Sequence, residues 1–536
     1  MKYNNTKRSI YLPLGLALCL AVGILIGIYL PREDSSSIGM SIRSKSDKLN
    51  SIINIIESNY VDSVSRKELE EAAIPAMLKK LDPHSIYIPA KDLKRANEPL
   101  QGNFDGIGIS FNMLTDTILV INTIQGGPSE KVGILAGDKI IFIGDSLVAG
   151  KGVTDEQAMG MLKGPRGTTV RLKILRKGMK ELIPFEITRD KIPVFSVDVA
   201  YMVNKNTGFI KISNFSVTTF DEFMKGLREL KEQGMTKLIL DLRQNPGGVM
   251  KAATLIANQF LKEGQLIVYT KGRTQPRMDD VATGKGEFET GDLVILIDEF
   301  SASASEILAG AIQDNDRGTI IGRRSFGKGL VQEPVIFTDG SGMRLTVARY
   351  FTPTGRSIQR PYNKGIEKYY AELTERAVRG ELEVSDSIHF ADSLKFTTPD
   401  GRTVYGGGGI MPDKFVPADT TGISDYFVKV KNTLIYKFAL NYTENNRENL
   451  KKFTEAGELE KYLDVQPLLD QFVQFAASNG VRKDPNGLKI SGKIIYTQIK
   501  AYIARNILDN KGFYPIWHEL DTTLKYAVDF IDRLPN

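Results

Sequence analysis

Between residues 191 and 420, apolar strand-like runs alternate with amphipathic stretches of helix length. This alternation constrains the fold more than any other feature of the chain. Buried strands joined by helices form a largely parallel sheet with helices packed on its faces. The strand-like runs include KLILDLR, DLVILID and TIIG, and the helix-like stretches include FDEFMKGLRELKEQG and ASEILAGAIQD. The pattern therefore predicts an α/β core.

The patterns on either side of this core predict further regions. Residues 45–99 are helix-like and end in the loop DPHSIYIP, whereas residues 100–190 alternate as short β runs around one short helix. That helix starts with a Thr-x-x-Gln capping box at Thr154 and Gln157. From about residue 424 the pattern is helical again. The predicted regions are therefore 45–99, 100–190, 191–420 and 424–536.

The N-terminus contains an uncharged apolar run at residues 11–30, which follows Lys2, Lys7 and Arg8. About 20 residues at about 1.5 Å each span about 30 Å, the thickness of the hydrocarbon core of a bilayer. Positive charge before the run places the N-terminus in the cytoplasm and the rest of the chain outside. We therefore expect residues 1–35 to be a retained signal anchor, with a cleaved signal peptide as the alternative.

Composition excludes several classes of function. The 536 residues are 42% hydrophobic and 25% charged, and the net charge of +6 arises from Lys and Arg scattered among Asp and Glu, so no nucleic-acid interface is expected. The single cysteine, Cys19, lies in the apolar run, which excludes a disulfide and a thiolate metal site in the exported part. The three histidines lie outside the core loops and there is no HExxH motif, which disfavours a Ser-His-Asp triad and a zinc peptidase. We predict no metal and no cofactor.

Three loops at strand ends carry the residues that could do chemistry: DLRQNPGGVM, DEFSASASEI and GRRSFGKGLVQ. Ligands of α/β sheets bind at such strand ends. With no histidine there, lysine is the remaining base, and a drop of about three pKa units would raise its neutral fraction at pH 7 from about 0.04% to about 30%. Gly327 and Gly329 let backbone close around Lys328. The motif is typical of a desolvated lysine near serines.

Other interpretations exist for these stretches taken alone. SASAS could be a helix N-terminus with serine caps, and GKG an exposed turn. GRRSFGKG also fits Gly-x-x-x-x-Gly-Lys of a nucleotide site, but Gly329 stands where Ser or Thr should hold magnesium. The following LVQEPVIF continues as a strand rather than a helix. Without a helix N-terminus the phosphate cradle lacks its dipole, which disfavours nucleotide binding.

The motifs SASASEILAGAIQD, DLRQNPGG, GRRSFGKGLVQ and RYFTPTGRSIQ resemble those of the carboxyl-terminal processing peptidases, also called tail-specific proteases. The resemblance covers about residues 45–420 and includes LDPHSIYI and the GIGIS and GILAGDKI segments of a PDZ domain. It implies a crotonase-like (ClpP/crotonase-type) peptidase core with an inserted β-rich PDZ domain. The expected fold class is therefore α/β, with a helical N-terminal segment and a helical C-terminal region.

By this resemblance Ser303 is the nucleophile, Lys328 the general base, and Gln332 the residue that holds the lysine amine. The backbone N–H groups of Gly248 and Ala304 match the oxyanion hole of the family. The lysine would take the serine proton and return it to the leaving amine, giving an acyl-enzyme that water resolves. Of the three alternating serines, the outer two are expected to be capping or packing residues.

The resemblance also implies a site for substrate tails in GIGIS. The N–H groups of Ile107, Gly108 and Ile109 are expected to bind a terminal carboxylate, while the tail adds as an extra strand. Its last apolar side chain would enter a pocket beside the helix that follows Thr154. The PDZ domain either delivers substrate or blocks the active site until a tail displaces it, and the sequence leaves both behaviours open.

The sequence thus predicts a serine endopeptidase of the bacterial cell envelope that cuts exported proteins near their C-termini. It would be anchored in the inner membrane with its catalytic part facing the periplasm or extracytoplasmic side. Expected partners are proteins with accessible tails, the membrane, and an adaptor or a second copy of the chain. The alternative is a catalytically silent PDZ scaffold. Residues 362–396 interrupt the family pattern; the chemistry is expected to be unaffected, whereas the sequence leaves the surface and partners open.

Overall fold

The structure is a computed structural model that describes residues 48–113, 116–385, 388 and 391–534, with the isolated residues Ala17, Leu20 and Val22. Apart from these three residues, the predicted anchor at 11–30 lies outside the described part of the chain, as does Cys19. No helix among the described residues is both long enough and apolar enough to cross a membrane. The chain divides into two compact units between Ile74 and Pro75.

The first unit contains helix α1 (Lys48–Asn59) and the start of helix α2 (Arg66–Leu78). Arg66 ties the two together, since its Nη1 and Nη2 donate to Asn54 Oδ1 and Asn50 Oδ1, both at 2.6 Å. Both helices fall where the sequence pattern is helical.

The second unit begins with β1 (Ile86–Ile88) and α3 (Ala90–Gln101). The pattern predicted only a loop at DPHSIYIP, but Ile86 to Ile88 pair with residues 342–344, a partner too distant for local pattern to reveal. A β-rich part follows, with β2 (Asn103–Gly106), β3 (Ile109–Asn112), β4 (Ile118–Thr123), α4 (Pro128–Lys131), β5 (Lys139–Ile143), β6 (Ser146–Leu147), α5 (Asp155–Leu162), β7 (Thr169–Leu175), β8 (Ile183–Thr188) and β9 (Asp190–Pro193).

The β-rich part is an antiparallel sheet in the order β3-β4-β5-β7-β8, with β6 on β5 and helix α5 against it. The predicted capping box at the start of α5 is confirmed. Thr154 Oγ1 accepts from the Gln157 amide at 3.2 Å, and Gln157 Oε1 accepts from the Thr154 amide at 2.9 Å. Strand β3 is at the edge of the sheet, paired only with β4 among the described strands.

The α/β core follows. Its elements are β10 (Val197–Met202), β11 (Thr207–Ile212), α6 (Thr219–Glu232), β12 (Lys237–Asp241), α7 (Met250–Ala257), β13 (Leu266–Gly272), β14 (Met278–Val281), β15 (Asp292–Ile297), α8 (Ala304–Asp314), β16 (Thr319–Gly322), β17 (Leu330–Ile336), β18 (Gly342–Phe351), α9 (Ile366–Val378), β19 (Lys395–Thr397), β20 (Thr403–Tyr405) and β21 (Lys414–Phe415).

The main sheet runs β10-β11-β12-β15-β16-β21 and is parallel from β11 onward. Alternate residues of its central strands face opposite cores. Leu238 and Leu240 pack with helices α6, α7 and α8, whereas Ile239 and Val294 face the other side. Because both faces are covered, the strands are apolar throughout, which is why they read as continuous hydrophobic runs. A second sheet runs β1-β18-β13-β14, with β17 on β18.

The chain ends in a helical region with its own core. Its helices are α10 (Asp425–Val430), α11 (Leu434–Leu450), α12 (Ala456–Asp464), α13 (Leu468–Ser478), α14 (Pro485–Trp517) and α15 (Thr522–Asp532). Helix α14 is interrupted at Asp509, whose φ of 52° and ψ of −144° are not helical. Leu524, Ala527 and Ile531 of α15 cover the second face of the main sheet. The C-terminal region thus has a core of its own and also completes the packing of the main sheet through helix α15.

Candidate active site

The loops predicted to carry the chemistry follow β12, β15 and β16. These strands are neighbours in the sheet and run parallel, so their carboxyl ends meet at one edge. The structure thus places DLRQNPGG, SASAS and GRRSFGKG side by side, as the sequence pattern indicated.

Ser303 stands out from the serines beside it. Ser301 and Ser305 are fully buried, and their Oγ atoms donate to the backbone oxygens of Leu242 at 2.8 Å and Asn245 at 3.0 Å. Ser303 is only half-buried and caps the N-terminus of α8 with a φ of 54° and a ψ of −111°. Ser301 and Ser305 therefore fix the loop by hydrogen bonds to backbone, whereas Ser303 is partly exposed to solvent.

The glycines of NPGG are closely packed, and Gly247 lies directly against this serine. A Cβ added at Gly247 would lie 2.8 Å from Ser303 Cβ and 2.9 Å from the Ala304 amide nitrogen. A Cβ added at Gly248, whose φ is 143°, would collide with the carbonyl oxygen of Phe215. Phe215 holds the turn by donating its amide to Gly247 O at 2.9 Å and accepting from the Val249 amide at 2.8 Å. Only glycine fits these two positions.

The Gly248 and Ala304 amides are free donors. Within the described part of the chain, neither donates a hydrogen bond to another protein group. The first amide of a helix has no partner inside that helix, and the helix dipole favours negative charge there. Two free amides beside a serine can bind an oxyanion that develops on an attacked carbonyl.

Lys328 lies half-buried in the loop after β16. Its Nζ donates to Gln332 Oε1 at 2.9 Å, and Gln332 Nε2 in turn donates to the backbone oxygen of His84. Burial lowers the pKa of Lys328, and the charge of Arg344 lowers it further, against smaller opposite effects of Glu306 and Asp82. An amide oxygen stabilises an ammonium less than a carboxylate does, so it opposes the lowering of the lysine pKa less than a carboxylate would.

Backbone closes around the lysine at both flanking glycines, as the sequence predicted. A Cβ at Gly327 would lie 3.1 Å from the Gly409 nitrogen, and one at Gly329 would lie 3.0 Å from the Gln359 nitrogen. The Gly329 amide donates to Gln359 Oε1 at 2.8 Å. A side chain at either position would force the neighbouring backbone to shift.

Glu306 is a residue of the site that sequence reasoning missed. Its fully buried carboxylate accepts from the Ser303 and Lys328 amides at 2.9 and 2.8 Å through Oε2. Through Oε1 it accepts from the Gly327 amide at 2.7 Å and from Ser325 Oγ at 2.5 Å. Burial raises its pKa, and these bonds oppose the increase. The carboxylate therefore joins the serine turn to the lysine loop.

Tyr350 makes a second connection between the two loops. Its buried hydroxyl lies 3.1 Å from the Ser303 carbonyl oxygen and 2.5 Å from that of Lys328. Among the described residues, no hydrogen bond joins Ser303 Oγ to Lys328 Nζ, whose partner is Gln332. Catalytic hydrogen bonds often form only when substrate binds, so this geometry is compatible with a dyad.

Helix α9, within the segment 362–396, reaches the lysine loop. Tyr369 OH lies 2.8 Å from His84 Nε2, and Arg376 Nη1 donates to Ser325 O at 2.8 Å. The sequence left the role of this segment open, and in the structure its helix supports the loop that carries Lys328. Burial, and then the charge of Lys328, lowers the pKa of His84 to about 4, so this histidine is neutral at pH 7.

The predicted tail site is a cavity of about 640 Å³ between β3 and α5, with Ile107, Ile109, Met159 and Leu162 among its lining residues. Gly108 turns the chain into the edge strand with a φ of 75°. Ile109 pairs with Thr123, and the amide of the next residue, 124, donates to Gly108 O at 3.0 Å. This register is a non-hydrogen-bonded pair, so the Ile109 N–H points to the open edge.

An α/β core with a serine at a helix N-terminus, two free amides and a buried lysine has the features of a serine-type peptidase. Residues 206–370 match Peptidase family S41, and residues 106–187 match the PDZ domain. Residues 31–92 match the N-terminal domain of the activating protease CtpB, and residues 426–509 match a family of unknown function, DUF8443.

The relatives are of the same class. The carboxy-terminal-processing protease of Bartonella bacilliformis is 36% identical over 349 residues, which are 61% of this chain and 78% of that protein. The carboxy-terminal processing protease CtpB of Bacillus subtilis is 33% identical over 377 residues, 68% of this chain and 77% of that protein. The chain belongs to the carboxy-terminal-processing protease family and is a serine-type peptidase.

Among solved structures, the photosystem II D1 C-terminal processing protease is 28% identical with a TM-score of 0.33 and covers 58% of this chain and 89% of that one. The crotonase-like description of the core stays a prediction.

Proposed function

We propose that this chain is an endopeptidase that cuts exported proteins near their C-termini with a Ser303–Lys328 dyad. The observation that carries the proposal is the environment of Lys328. The half-buried lysine donates from Nζ to the neutral amide oxygen of Gln332, and its pKa is lowered. A neutral amine near a half-exposed serine is the base that the reaction needs.

In the proposed reaction, the neutral amine of Lys328 takes the proton from Ser303 Oγ, and Oγ attacks the peptide carbonyl carbon. The carbonyl electron pair moves to oxygen, where the Gly248 and Ala304 amides bind it. Lys328 then gives its proton to the peptide nitrogen as the C–N bond breaks, which leaves an ester on Ser303. Water attacks the ester with Lys328 again as base, and the serine is restored.

In this proposal the Gly248 and Ala304 amides stabilise the negative charge that develops on the carbonyl oxygen in the transition state. An oxyanion-hole donor typically contributes about 3 to 4 kcal/mol to transition-state stabilisation. Gly248 and Ala304 are pre-oriented, since the Phe215 pairing fixes the first and the start of α8 fixes the second. They need no reorganisation when charge develops on the substrate.

The PDZ cavity is proposed to select the substrate. The N–H groups of Ile107, Gly108 and Ile109 would hold the terminal carboxylate, and the tail would pair with β3 as an added strand. The apolar lining of the cavity supports an apolar last residue. The relatives named carboxy-terminal processing proteases agree with tail selection.

We also infer that residues 11–30 anchor the enzyme in a bacterial inner membrane with the peptidase outside the cytoplasm. The apolar run after Lys2, Lys7 and Arg8 supports this location. Its substrates would then be exported proteins. Alkaline extraction of membranes tests the anchor, which is wrong if the full chain is released.

The function is tested with a purified unfolded protein that ends in an apolar tail and with the same protein carrying a C-terminal amide. Wild type should cleave the free-acid form faster, Ser303→Ala should cleave neither, and mass spectrometry should locate the cut. Equal cleavage of both forms would contradict carboxylate capture. Tail binding without cleavage by wild type would support a silent PDZ scaffold.

A further inference from the structure

An ion pair joins the C-terminal helical region to the DLRQNPGG loop, which carries the Gly248 amide and is called the oxyanion loop below. Arg243 belongs to the DLRQNPGG loop, and Asp521 precedes helix α15, 278 residues later. Arg243 Nη1 donates to Asp521 Oδ1 at 2.9 Å, and Nη2 donates to Oδ2 at 2.6 Å. The pair is bidentate, the geometry that fixes a guanidinium best.

This pair lies in a small, balanced cluster of buried charges. Arg243 Nε and Nη2 also donate to Asp241 at 3.0 and 2.7 Å, and Lys211 Nζ lies 3.5 Å from the same carboxylate. The side chains of Asp241, Arg243 and Asp521 are 1, 15 and 13% exposed. Two cations face two carboxylates, so removing the Asp521 charge leaves the cluster with an excess positive charge away from water.

Arg243 is connected through backbone to both amides of the proposed oxyanion hole. The next residue, Gln244, has a φ of 61° and donates its amide to Asp298 Oδ1 at 2.9 Å. Asn245 then accepts the Ala302 amide at 3.0 Å, one residue before the serine. A shift of Arg243 therefore moves the segment that sets the positions of Gly248 and Ala304.

We propose that Asp521 is a positioning residue for the oxyanion loop, which it holds through Arg243, and that the C-terminal region thereby sets the turnover rate. This inference rests on the proposed function of the Gly248 and Ala304 amides. Burial alone would raise the pKa of Asp521, but the Arg243 charge holds it below its usual range, so the carboxylate is ionised at neutral pH.

Asp521 has a second role that a test must separate. Its Oδ1 also accepts the Leu524 amide at 2.9 Å and so caps helix α15. Asp521→Asn keeps a capping oxygen but loses the charge and the Nη2 bond. Asp521→Glu keeps the charge but is a poorer cap. Asp521→Asn is expected to lower the Tm because the cluster is left with an excess positive charge, and Asp521→Glu is expected to lower it through the poorer cap. The positioning role predicts that activity falls in Asp521→Asn and is retained in Asp521→Glu.

The matched control is Asp484→Asn. Asp484 caps helix α14 by accepting the Gly487 amide at 3.0 Å. Asp484→Asn thus makes the same Asp-to-Asn change at a helix cap of the same region, at a residue outside the Arg243 cluster. We expect kcat on an unfolded protein to fall about 10-fold in Asp521→Asn, with KM changed less than about twofold. The control should match wild type in both constants.

Amide hydrogen exchange on the full chain provides a readout that does not need activity. In Asp521→Asn, the amides of Phe215, Gly247 and Val249 should exchange several-fold faster than in Asp484→Asn. Unchanged exchange of these amides, or a kcat equal to wild type, would overturn the positioning role. A wild-type chain that does not cleave would instead refute the proposed function, while faster exchange would still show that Asp521 holds the loop.

Discussion

The peptidase core and the C-terminal helical region each contain a lysine whose ammonium is withdrawn from water, but the two have opposite electrostatics. Lys500 is 4% exposed and donates to Glu460 Oε1 at 2.6 Å and to Asp464 Oδ1 at 2.8 Å. Burial opposes its charge, yet these carboxylates raise its pKa. Lys328 has an amide oxygen as partner and a lowered pKa.

The comparison shows that burial alone does not give a lysine a lowered pKa. A carboxylate does lie near Lys328, but Glu306 accepts hydrogen bonds from backbone amides and Ser325 rather than from Nζ. The Glu306 carboxylate thus joins the serine and lysine loops, and the Lys328 ammonium has only the neutral amide oxygen of Gln332 as its hydrogen-bond acceptor among the described residues. The acceptor on the ammonium therefore distinguishes the two lysines: carboxylates raise the pKa of Lys500, whereas Lys328, with an amide oxygen as partner, has a lowered pKa.

The largest expected effect is loss of activity on removal of the dyad. Ser303→Ala and Lys328→Ala should each reduce kcat by at least about 1,000-fold, because nucleophile and base act as one unit. Lys500→Met should cleave like wild type. Initial rates on an unfolded tailed protein measure the difference, with circular dichroism to verify folding. Substantial turnover by Lys328→Ala would refute the lysine as base.

The second prediction converts the surroundings of Lys328 into those of Lys500. Gln332→Glu places a carboxylate on Nζ, which should raise the pKa of Lys328 and reduce activity at pH 7 by about 100-fold. The base works when deprotonated, so the rising limb of the pH–rate profile should move to higher pH. His84 does not define this limb, because its pKa is about 4.

Gln332→Met is the matched control for the second prediction, since it removes both hydrogen bonds without adding charge. It should reduce kcat by about 10-fold through lost orientation of the amine. The rising limb of the pH–rate profile should move to higher pH in Gln332→Glu and should not do so in Gln332→Met. Identical limbs in the two variants would show that the acceptor charge does not control Lys328.

The sequence predicted that the three loops at the strand ends lie side by side, but it did not predict the hydrogen bonds that join them. DLVILID, ASEILAGAIQD and TIIG correspond closely to β15, α8 and β16, because local pattern determines buried strands and amphipathic helices. Glu306 stands in a Ser-x-x-Glu spacing that signals a cap, yet most of its partners lie at 325–328. Besides its local partner Asp241, Arg243 pairs with the distant Asp521. Such contacts arise only from tertiary folding.

The third prediction concerns stability. Lys500→Met should lower the free energy of unfolding of the C-terminal region by about 2 kcal/mol, because it removes charged hydrogen bonds and leaves unpaired carboxylates. Trp517, the single tryptophan, lies in the same helix and reports unfolding by fluorescence in urea. The loss should be smaller at acidic pH, where the carboxylates are protonated. An unchanged midpoint would argue against a structural ion pair.

The smallest expected effect comes from the charge of Arg344, which lowers the pKa of Lys328. Arg344→Gln should raise that pKa, so the activity limb should move slightly to higher pH. Arg349→Gln, an exposed arginine on the same strand, is the control and should leave the limb in place. A limb that moves to lower pH in Arg344→Gln would contradict the electrostatic account.

The backbone of Ser303 has a consequence for the stability of the chain. Its φ of 54° and ψ of −111° suit glycine far better than serine, and such a conformation costs about 1 to 3 kcal/mol. Ser303→Gly would relieve that cost at the same step that removes the proposed nucleophile. The Ser303→Gly variant should therefore gain thermal stability while it loses the proposed cleavage, which leaves a silent chain with a more stable fold than its active parent.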